Sequence, residues 1–320
     1  MRVIPYDEVK TKIEQCESIT ILSHLNPDAD ALGTALGIYA LLSQDKSKKV
    51  EVVNASTALP GHLDFLPNFK KIKHKMDYKN SLVIACDCGS IDRLGFDLED
   101  RDILNIDHHQ SNTDYGSVNI VIPEYASSSQ VAFRVFQKLY TIHADAATCF
   151  YTALLSDTRY FTTSSVNEEV FIVAQALVKA GAIPNDIAFN FTQRRPLSSL
   201  RILEKALASL SLYDDATIAT LMVTKEEISA TGATVPDMEG IVDYARSLVT
   251  VEIAIFAMEL EEGIRISLRS KTADVSTVAM AFGGGGHKVA AGFTLKQSGL
   301  QQSMDTILSK IKELGLTDEK

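Results

Sequence analysis

Apolar runs alternate with helically spaced segments along the first half of the chain. Residues 19–23 form a β-type apolar run, and residues 31–42 follow with helical spacing. Residues 50–54 predict a second strand. Residues 82–86 (Leu-Val-Ile-Ala-Cys) are continuously apolar, which predicts a strand buried on both faces. Residues 102–106 predict another. Helical spacing marks 6–15, 127–140, 146–155 and 167–180, the last closed by Gly181 and Pro184. Residues 59–69 carry two prolines and a glycine and read as a loop region. Strands alternating with helices predict an α/β fold with a doubly wound, mainly parallel sheet.

The pattern then changes. Residues 185–212 are helical and basic, with Arg194, Arg195, Arg201 and Lys205. Strand-like runs follow at 216–223, 249–260 and 263–269, then Gly283-Gly284-Gly285-Gly286-His287, read as a loop, and a closing helix over 300–314. The expected organisation is a first domain over 1–185, a helical connector over 186–212, and a smaller mixed α/β domain over 213–320, with a cleft between the domains.

A length of 320 residues suits two domains. The net charge of −10 argues against a broad basic surface gripping long duplex nucleic acid, though not against a local basic pocket. Cys16, Cys86, Cys88 and Cys149 have no disulfide-framework spacing, and no apolar run reaches membrane-spanning length. The expectation is a cytoplasmic protein without membrane contact.

The ends of the predicted elements carry the chemistry. His24-Leu25-Asn26-Pro27-Asp28-Ala29-Asp30 follows the first strand, Asp87 the buried one, and Asp107-His108-His109 the next; Asp157 ends a helix. In a parallel sheet the carboxyl ends of the strands lie along one edge, so these residues can converge. Five carboxylates and three imidazoles in one crevice repel unless cations sit among them. Mixed His and Asp donors without thiolate suit Mn²⁺, Mg²⁺ or Fe²⁺ better than structural Zn²⁺. Two such ions sharing a carboxylate serve displacement at phosphorus.

Each piece alone has a plainer reading. A single Asp at a strand end is usually a turn or cap residue. The weight comes from several element ends carrying ligand-type residues together. Cys86 and Cys88 flank Asp87 but point away from its face and read as structural. His62, His74 and His143 read as solvated. A second cluster places Arg265, Ser267 and Arg269 on one strand face. Arginine forks suit phosphate, and glycine amides can cradle one; alone, this signal equally fits a flexible hairpin.

Taken together, the His24-to-Asp30 stretch, Asp87, Asp107-His108-His109 and Asp157 resemble the four motifs of the DHH phosphoesterases. The Gly283–His287 run, with Arg269 upstream, is similar to the associated DHHA1 domain, and the two-domain length resembles the nanoRNase/pAp phosphatase subfamily. The resemblance implies two Mn²⁺ ions, one held by His24, Asp28 and Asp87, the other by Asp30, Asp87, His108 and Asp157. It implies that His109 contacts the scissile phosphate and that Asp107 orients the histidines. Arg269, Ser270, Gly284, Gly285, Gly286 and His287 would bind the nucleotide. The implied substrates are short single-stranded RNA, dinucleotides or adenosine 3′,5′-bisphosphate (pAp), and the implied assembly is a homodimer. One departure stands out: Arg159 follows Asp157-Thr158 where many relatives have a smaller residue, often glycine.

Other readings are a phosphodiesterase for linear dinucleotides, a manganese pyrophosphatase sharing the first-domain motifs, and a nucleotide sensor without turnover. The Gly283–His287 run speaks against the second. A complete ligand set speaks against the third.

Overall fold

The computed structural model describes residues 4–296 and 299–317. The chain divides into two compact units, Met1–Arg194 and Arg195–Lys320. The first runs α1 (Tyr6–Gln15), β1 (Ser18–Ser23), α2 (Ala29–Leu42), β2 (Lys49–Val53), β3 (Ile72–Lys73), β4 (Leu82–Cys86), β5 (Ile103–Asp107), β6 (Val118–Val121), α3 (Ser128–Phe136), α4 (Ala144–Asp157), α5 (Glu168–Lys179) and α6 (Pro184–Thr192). Its sheet has the order β3-β2-β1-β4-β5-β6, with every neighbouring pair parallel. The strand order reverses between β1 and β4, so the ends of these strands flank the crevice where parallel sheets bind ligands.

The predicted parallel α/β architecture is present. The prediction missed β3 and β6, which are too short to carry a periodic signal. It also extended α3 to residue 140; the helix ends at Phe136, and the N–H groups of both Leu139 and Tyr140 turn back onto the Phe136 carbonyl.

Helix α2 is the keystone. Every residue except Tyr39 is buried, because the helix lies between the sheet and α4. Two glycines permit the close approach. A Cβ on Gly33 would sit 2.6 Å from the Cys149 carbonyl oxygen and 2.8 Å from the Ala153 Cβ. One on Gly37 would sit 2.3 Å from the Phe150 ring.

The second unit runs α7 (Leu197–Ala208), β7 (Ser211–Tyr213), β8 (Ile218–Val223), α8 (Lys225–Thr231), α9 (Ile241–Arg246), β9 (Ile253–Leu260), β10 (Gly263–Ser270), α10 (Ser276–Ala281), β11 (Gly285–His287), β12 (Ala290–Leu295) and α11 (Leu300–Glu313). Its sheet is mixed, ordered β11-β12-β10-β9-β8-β7, with β8 and β9 parallel and the other pairs antiparallel. Strand β9 is covered on both faces. Ile253, Ile255 and Ala257 join Val278, Met304 and Ile307. Ala254, Phe256 and Met258 join Ile202, Ile241 and Ala245.

The expected connector over 186–212 is not a single body. Helix stops at Thr192 and resumes at Leu197. Pro196 accounts for the break, since the residue before a proline is driven out of helical geometry. The α6 half belongs to the first unit: Ile187 is buried in its core, and Phe191 packs against Phe65 and Tyr160. The α7 half belongs to the second, through Ile202 and Ala206. Arg194 is paired rather than simply solvated, 2.8 Å from Asp64.

Candidate metal centre

The corner after β1 places its residues by backbone chemistry. Asp28 is the N-cap of α2; its Oδ1 accepts the N–H groups of Asp30 and Ala31 at 3.0 Å each. The cap reading and the ligand reading are therefore compatible, since one oxygen caps and the other is left to the site. His24 is buried, with Nδ1 2.8 Å from the Leu25 carbonyl. A ring that donates from Nδ1 presents a bare Nε2, and that atom lies 3.7 Å from Asp87 Oδ2.

Asp87 directly follows β4 in a left-handed conformation, φ 55°. A short polar side chain tolerates this region better than most. The turn sets its carboxylate among three imidazoles: Oδ1 is 3.8 Å from His108 Nε2 and 3.5 Å from His109 Nδ1, while Oδ2 faces His24.

Asp107 ends β5, wholly buried, and its oxygens are consumed by the protein. Oδ1 accepts the N–H groups of His108 (2.8 Å) and His109 (3.2 Å) and His109 Nδ1 (2.7 Å). Oδ2 accepts Asn112 Nδ2 at 2.5 Å. His108 bonds the Tyr125 carbonyl through Nδ1 at 3.1 Å, so its Nε2 faces Asp157 at 3.5 Å and Asp30 at 3.8 Å.

The last member arrives by helix packing. Gly33 meets Ala153 and Gly37 meets Phe150, so α2 and α4 run antiparallel in this register. One turn further along, the same register sets Asp30, at the start of α2, against Asp157, at the end of α4. Beyond Asp157, Arg159, Tyr160 and Phe161 have φ values of 45°, 59° and 62°. A left-handed turn favours glycine, which gives the expected small residue at position 159 a physical basis. The Tyr160 N–H bonds the Leu155 carbonyl and the Phe161 N–H the Thr158 hydroxyl, and these hold the turn.

The electrostatics follow. Burial raises the Asp30 carboxyl well above the usual range, and Asp87, Asp157 and Asp28 push it the same way. Burial and the nearby Asp87 and Asp28 push Asp157 up to about 7, despite His108. Burial opposes charge on Asp87, but the histidines outweigh it and hold that carboxyl well below its ordinary value. Burial likewise opposes charge on His109, but Asp107 and Asp87 raise it to about 9.

This donor set fits divalent cations. Three groups each bring their ligand atoms within 4.8 Å of one another: His24/Asp28/Asp87, Asp87/His108/His109 and Asp30/His108/Asp157. They are joined by Asp87 and His108, and no thiol belongs to them among the described residues. Cys86 and Cys88 are buried in the core instead.

The sequence reasoning missed the residues that support these donors. Ser128, at the first position of α3, donates its hydroxyl to Asp87 Oδ1 at 2.8 Å and its N–H to Asp30 Oδ2 at 2.6 Å. The Ser129 N–H reaches Asp30 Oδ1 at 3.1 Å. The run Ser127-Ser128-Ser129 before a helix was the available signal, read only as a helix start. Asn54 and Asn112 gave none; Asn54 Nδ2 bonds the Ser23 and His24 carbonyls. Of the histidines read as solvated, His74 is exposed, whereas His62 and His143 are half-buried, His143 with Nε2 3.1 Å from the Ala40 carbonyl.

In the second unit, Arg269 and His287 both pair in register with Ala290, from opposite sides. Directly opposed residues share a face, so these two side chains lie on one sheet face, a strand apart. Gly285–His287 forms an edge strand rather than a loop. The glycines have different reasons. A Cβ on Gly284 would lie 2.3 Å from the Gly292 carbonyl, and Gly286 has φ 144° with its Cβ position 2.5 Å from the Ala290 carbonyl. Nothing in the fold requires a glycine at 285, which is exposed with open space beside it. Ser270 departs from its expected role: it is buried, its hydroxyl is held by the Ala273 carbonyl at 2.6 Å, and its N–H is held by Val289. The strand alternation that sets half-buried Arg269 on one face turns Ser270 to the other, inward one.

Comparison with known proteins gives consistent matches. Residues 18–154 match the model of the DHH family, N-terminal domain, and residues 216–314 that of the DHHA1 domain. The bifunctional oligoribonuclease and PAP phosphatase NrnA of Thermus thermophilus is 29% identical over 302 residues, covering 92% of this chain and 89% of that protein. The Bacillus subtilis protein of the same name is 22% identical over 294 residues, covering 90% and 92%. The crystal structure of an exopolyphosphatase-related protein from Bacteroides fragilis superposes with a TM-score of 0.88 at 29% identity, covering 97% of this chain and 96% of that one.

Proposed function

The chain belongs to the DHH phosphoesterase family, with a DHHA1 domain following its DHH domain, and from that membership and the geometry of its donor cluster we propose that it hydrolyses very short RNA oligonucleotides to nucleoside monophosphates and removes the 3′-phosphate of pAp. It is a metal-dependent hydrolase, as its family is. The observation that carries the reading is the joining of two donor groups through Asp87, one oxygen toward His24 and the other toward His108.

We assign His24, Asp28 and Asp87 to one cation, and Asp30, Asp87, His108 and Asp157 to the other, with Mn²⁺ the preferred ion and Mg²⁺ an alternative. Bound divalent cations supply a nucleophile at neutral pH and neutralise charge on phosphoryl oxygens. The protein's own work is orientation and proton supply. The Leu25 and Tyr125 carbonyls fix the tautomers of His24 and His108. Asp107 holds His109 Nδ1 and keeps that ring charged, so that Nε2 can donate to a phosphate oxygen or leaving group. Arg269 and His287 supply cationic and hydrogen-bonding groups for the nucleotide on the second unit's sheet.

The net charge of −10 supports small substrates held in a local basic pocket, with long duplex excluded. Four free cysteines, three of them buried, support a reducing, cytoplasmic setting. No single helix among the described residues is long and apolar enough to cross a membrane. A homodimer is the proposed assembly; light scattering that reads a monomer at micromolar concentration removes that part.

The test is hydrolysis with Mn²⁺ of a 5′-phosphorylated RNA dinucleotide, pAp and pyrophosphate on one preparation. Release of nucleoside monophosphate from the dinucleotide, with pyrophosphate untouched, is expected. Turnover of pyrophosphate alone would overturn the assignment.

A further inference from the structure

We infer that Ser128 is a positioning residue for the shared ligand: its hydroxyl locks the Asp87 carboxylate in the orientation that turns each oxygen toward a different set of donors. A carboxylate rotates about a soft terminal torsion, so an orientation that serves two sites has to be imposed. At Asp87, Oδ2 faces His24 at 3.7 Å, while Oδ1 faces His108 at 3.8 Å and His109 at 3.5 Å. The Ser128 hydroxyl bonds Oδ1 at 2.8 Å and approaches Asp107 Oδ1 at 3.2 Å. A hydroxyl has one proton to give, and the shorter contact is to Asp87.

Ser128 is itself held fast. Its N–H is bound by Asp30 Oδ2 at 2.6 Å, and Ser127 caps its helix through the Gln130 N–H. Through backbone and side chain it therefore touches three carboxylates from three different element ends. It is fully buried, so its hydroxyl is sheltered from bulk solvent. Ser129 provides an internal contrast. It is as deeply buried and its N–H also reaches Asp30, but its hydroxyl bonds Ser127 and no carboxylate. A role that came merely from buried hydroxyls near the helix start would be shared by both serines.

This inference rests on the two-cation reading, and the experiment separates the two. Metal-free full-length protein is titrated with Mn²⁺ by calorimetry and followed by electron paramagnetic resonance, which distinguishes an exchange-coupled pair from isolated ions. Wild type is expected to bind two ions as a coupled pair. Ser128→Ala is expected to weaken binding about 10–100-fold, the usual effect of removing a partner of a metal ligand, and to show isolated-ion signal where wild type shows the pair. At saturating Mn²⁺ its KM for a dinucleotide stays unchanged. Ser129→Ala binds as wild type, and Ser128→Thr, which keeps the hydroxyl, restores the pair. Two ions bound normally by Ser128→Ala, or an equal loss in Ser129→Ala, would overturn the assignment. If the alanine variant does not fold, Ser128→Thr decides, since a folded threonine variant without the coupled pair also overturns it. A wild type that binds no ion pair would instead sink the two-cation reading itself.

Discussion

Replacing Asp107 with asparagine keeps the side chain's shape and removes its charge, and the structure sets the size of the effect. The amide oxygen can take the place of Oδ1 and keep the bonds from His108 and His109. The amide NH₂ then faces Asn112 Nδ2, so two donors oppose each other where one hydrogen bond stood. Asn112 cannot flip cheaply, because its own groups are bound to Cys88, Asn105 and Asp114. That mismatch costs ~1–3 kcal/mol. The second loss is linked to pH. A histidine raised from its ordinary 6.5 to about 9 contributes at most ~3 kcal/mol. Because the folded value is the higher one, this stability is fully present below pH 6.5 and is lost as pH rises through about 9. In urea unfolding of metal-free protein, Asp107→Asn should therefore cost up to ~4–6 kcal/mol at pH 6 and only ~1–3 kcal/mol at pH 9.5. The difference between variant and wild type cancels the other titrating carboxylates. An equal loss at both pH values would refute the claim that Asp107 holds the His109 proton.

Four further outcomes are expected. Adding Mn²⁺ to metal-free protein should raise Tm more at pH 8 than at pH 5.5. Asp30 and Asp157 have raised folded values, so the stability of their protonated forms fades as pH rises from the ordinary carboxylate range through about 7; a shift independent of pH, or none, would contradict this. Asp87→Ala should remove the shared donor and reduce turnover to background, which a steady-state assay would detect; near-normal kcat would rule out the joined site. Arg269→Ala should raise KM for a dinucleotide more than it lowers kcat, and a pure kcat loss would contradict its binding role. Gly33→Ala should gain up to ~1 kcal/mol of helix propensity but lose ~1–3 kcal/mol to overpacking, because its nearest obstacle, the Cys149 carbonyl 2.6 Å away, is backbone and cannot rotate aside. Net destabilisation in thermal melts together with weaker Mn²⁺ binding is expected; a stabilised variant would show that α2 and α4 can separate freely.

Much of this was legible in the linear chain. The continuous apolar run at 82–86 has only one comfortable setting, a strand covered on both faces, and it became central β4. Polar residues just past such runs fall at one sheet edge by topology alone, so His24, Asp87 and the Asp107-His108-His109 triplet were placed together without coordinates. The residue types, imidazole and carboxylate without thiolate, fixed the class of chemistry. Only the tertiary structure decided the rest. Asp30 meets Asp157 because two glycines let α2 lie against α4 in one register, and no periodicity encodes which helices touch. Ser128 reads as an ordinary helix start until α3 docks its first turn on three carboxylates. Ser270 and Arg269 are neighbours in sequence, but strand pairing buries Ser270 and leaves Arg269 half-buried on the opposite face. Local pattern reports which side chains a segment offers, whereas their orientation depends on contacts between segments far apart in the chain, and those exist only in the folded state.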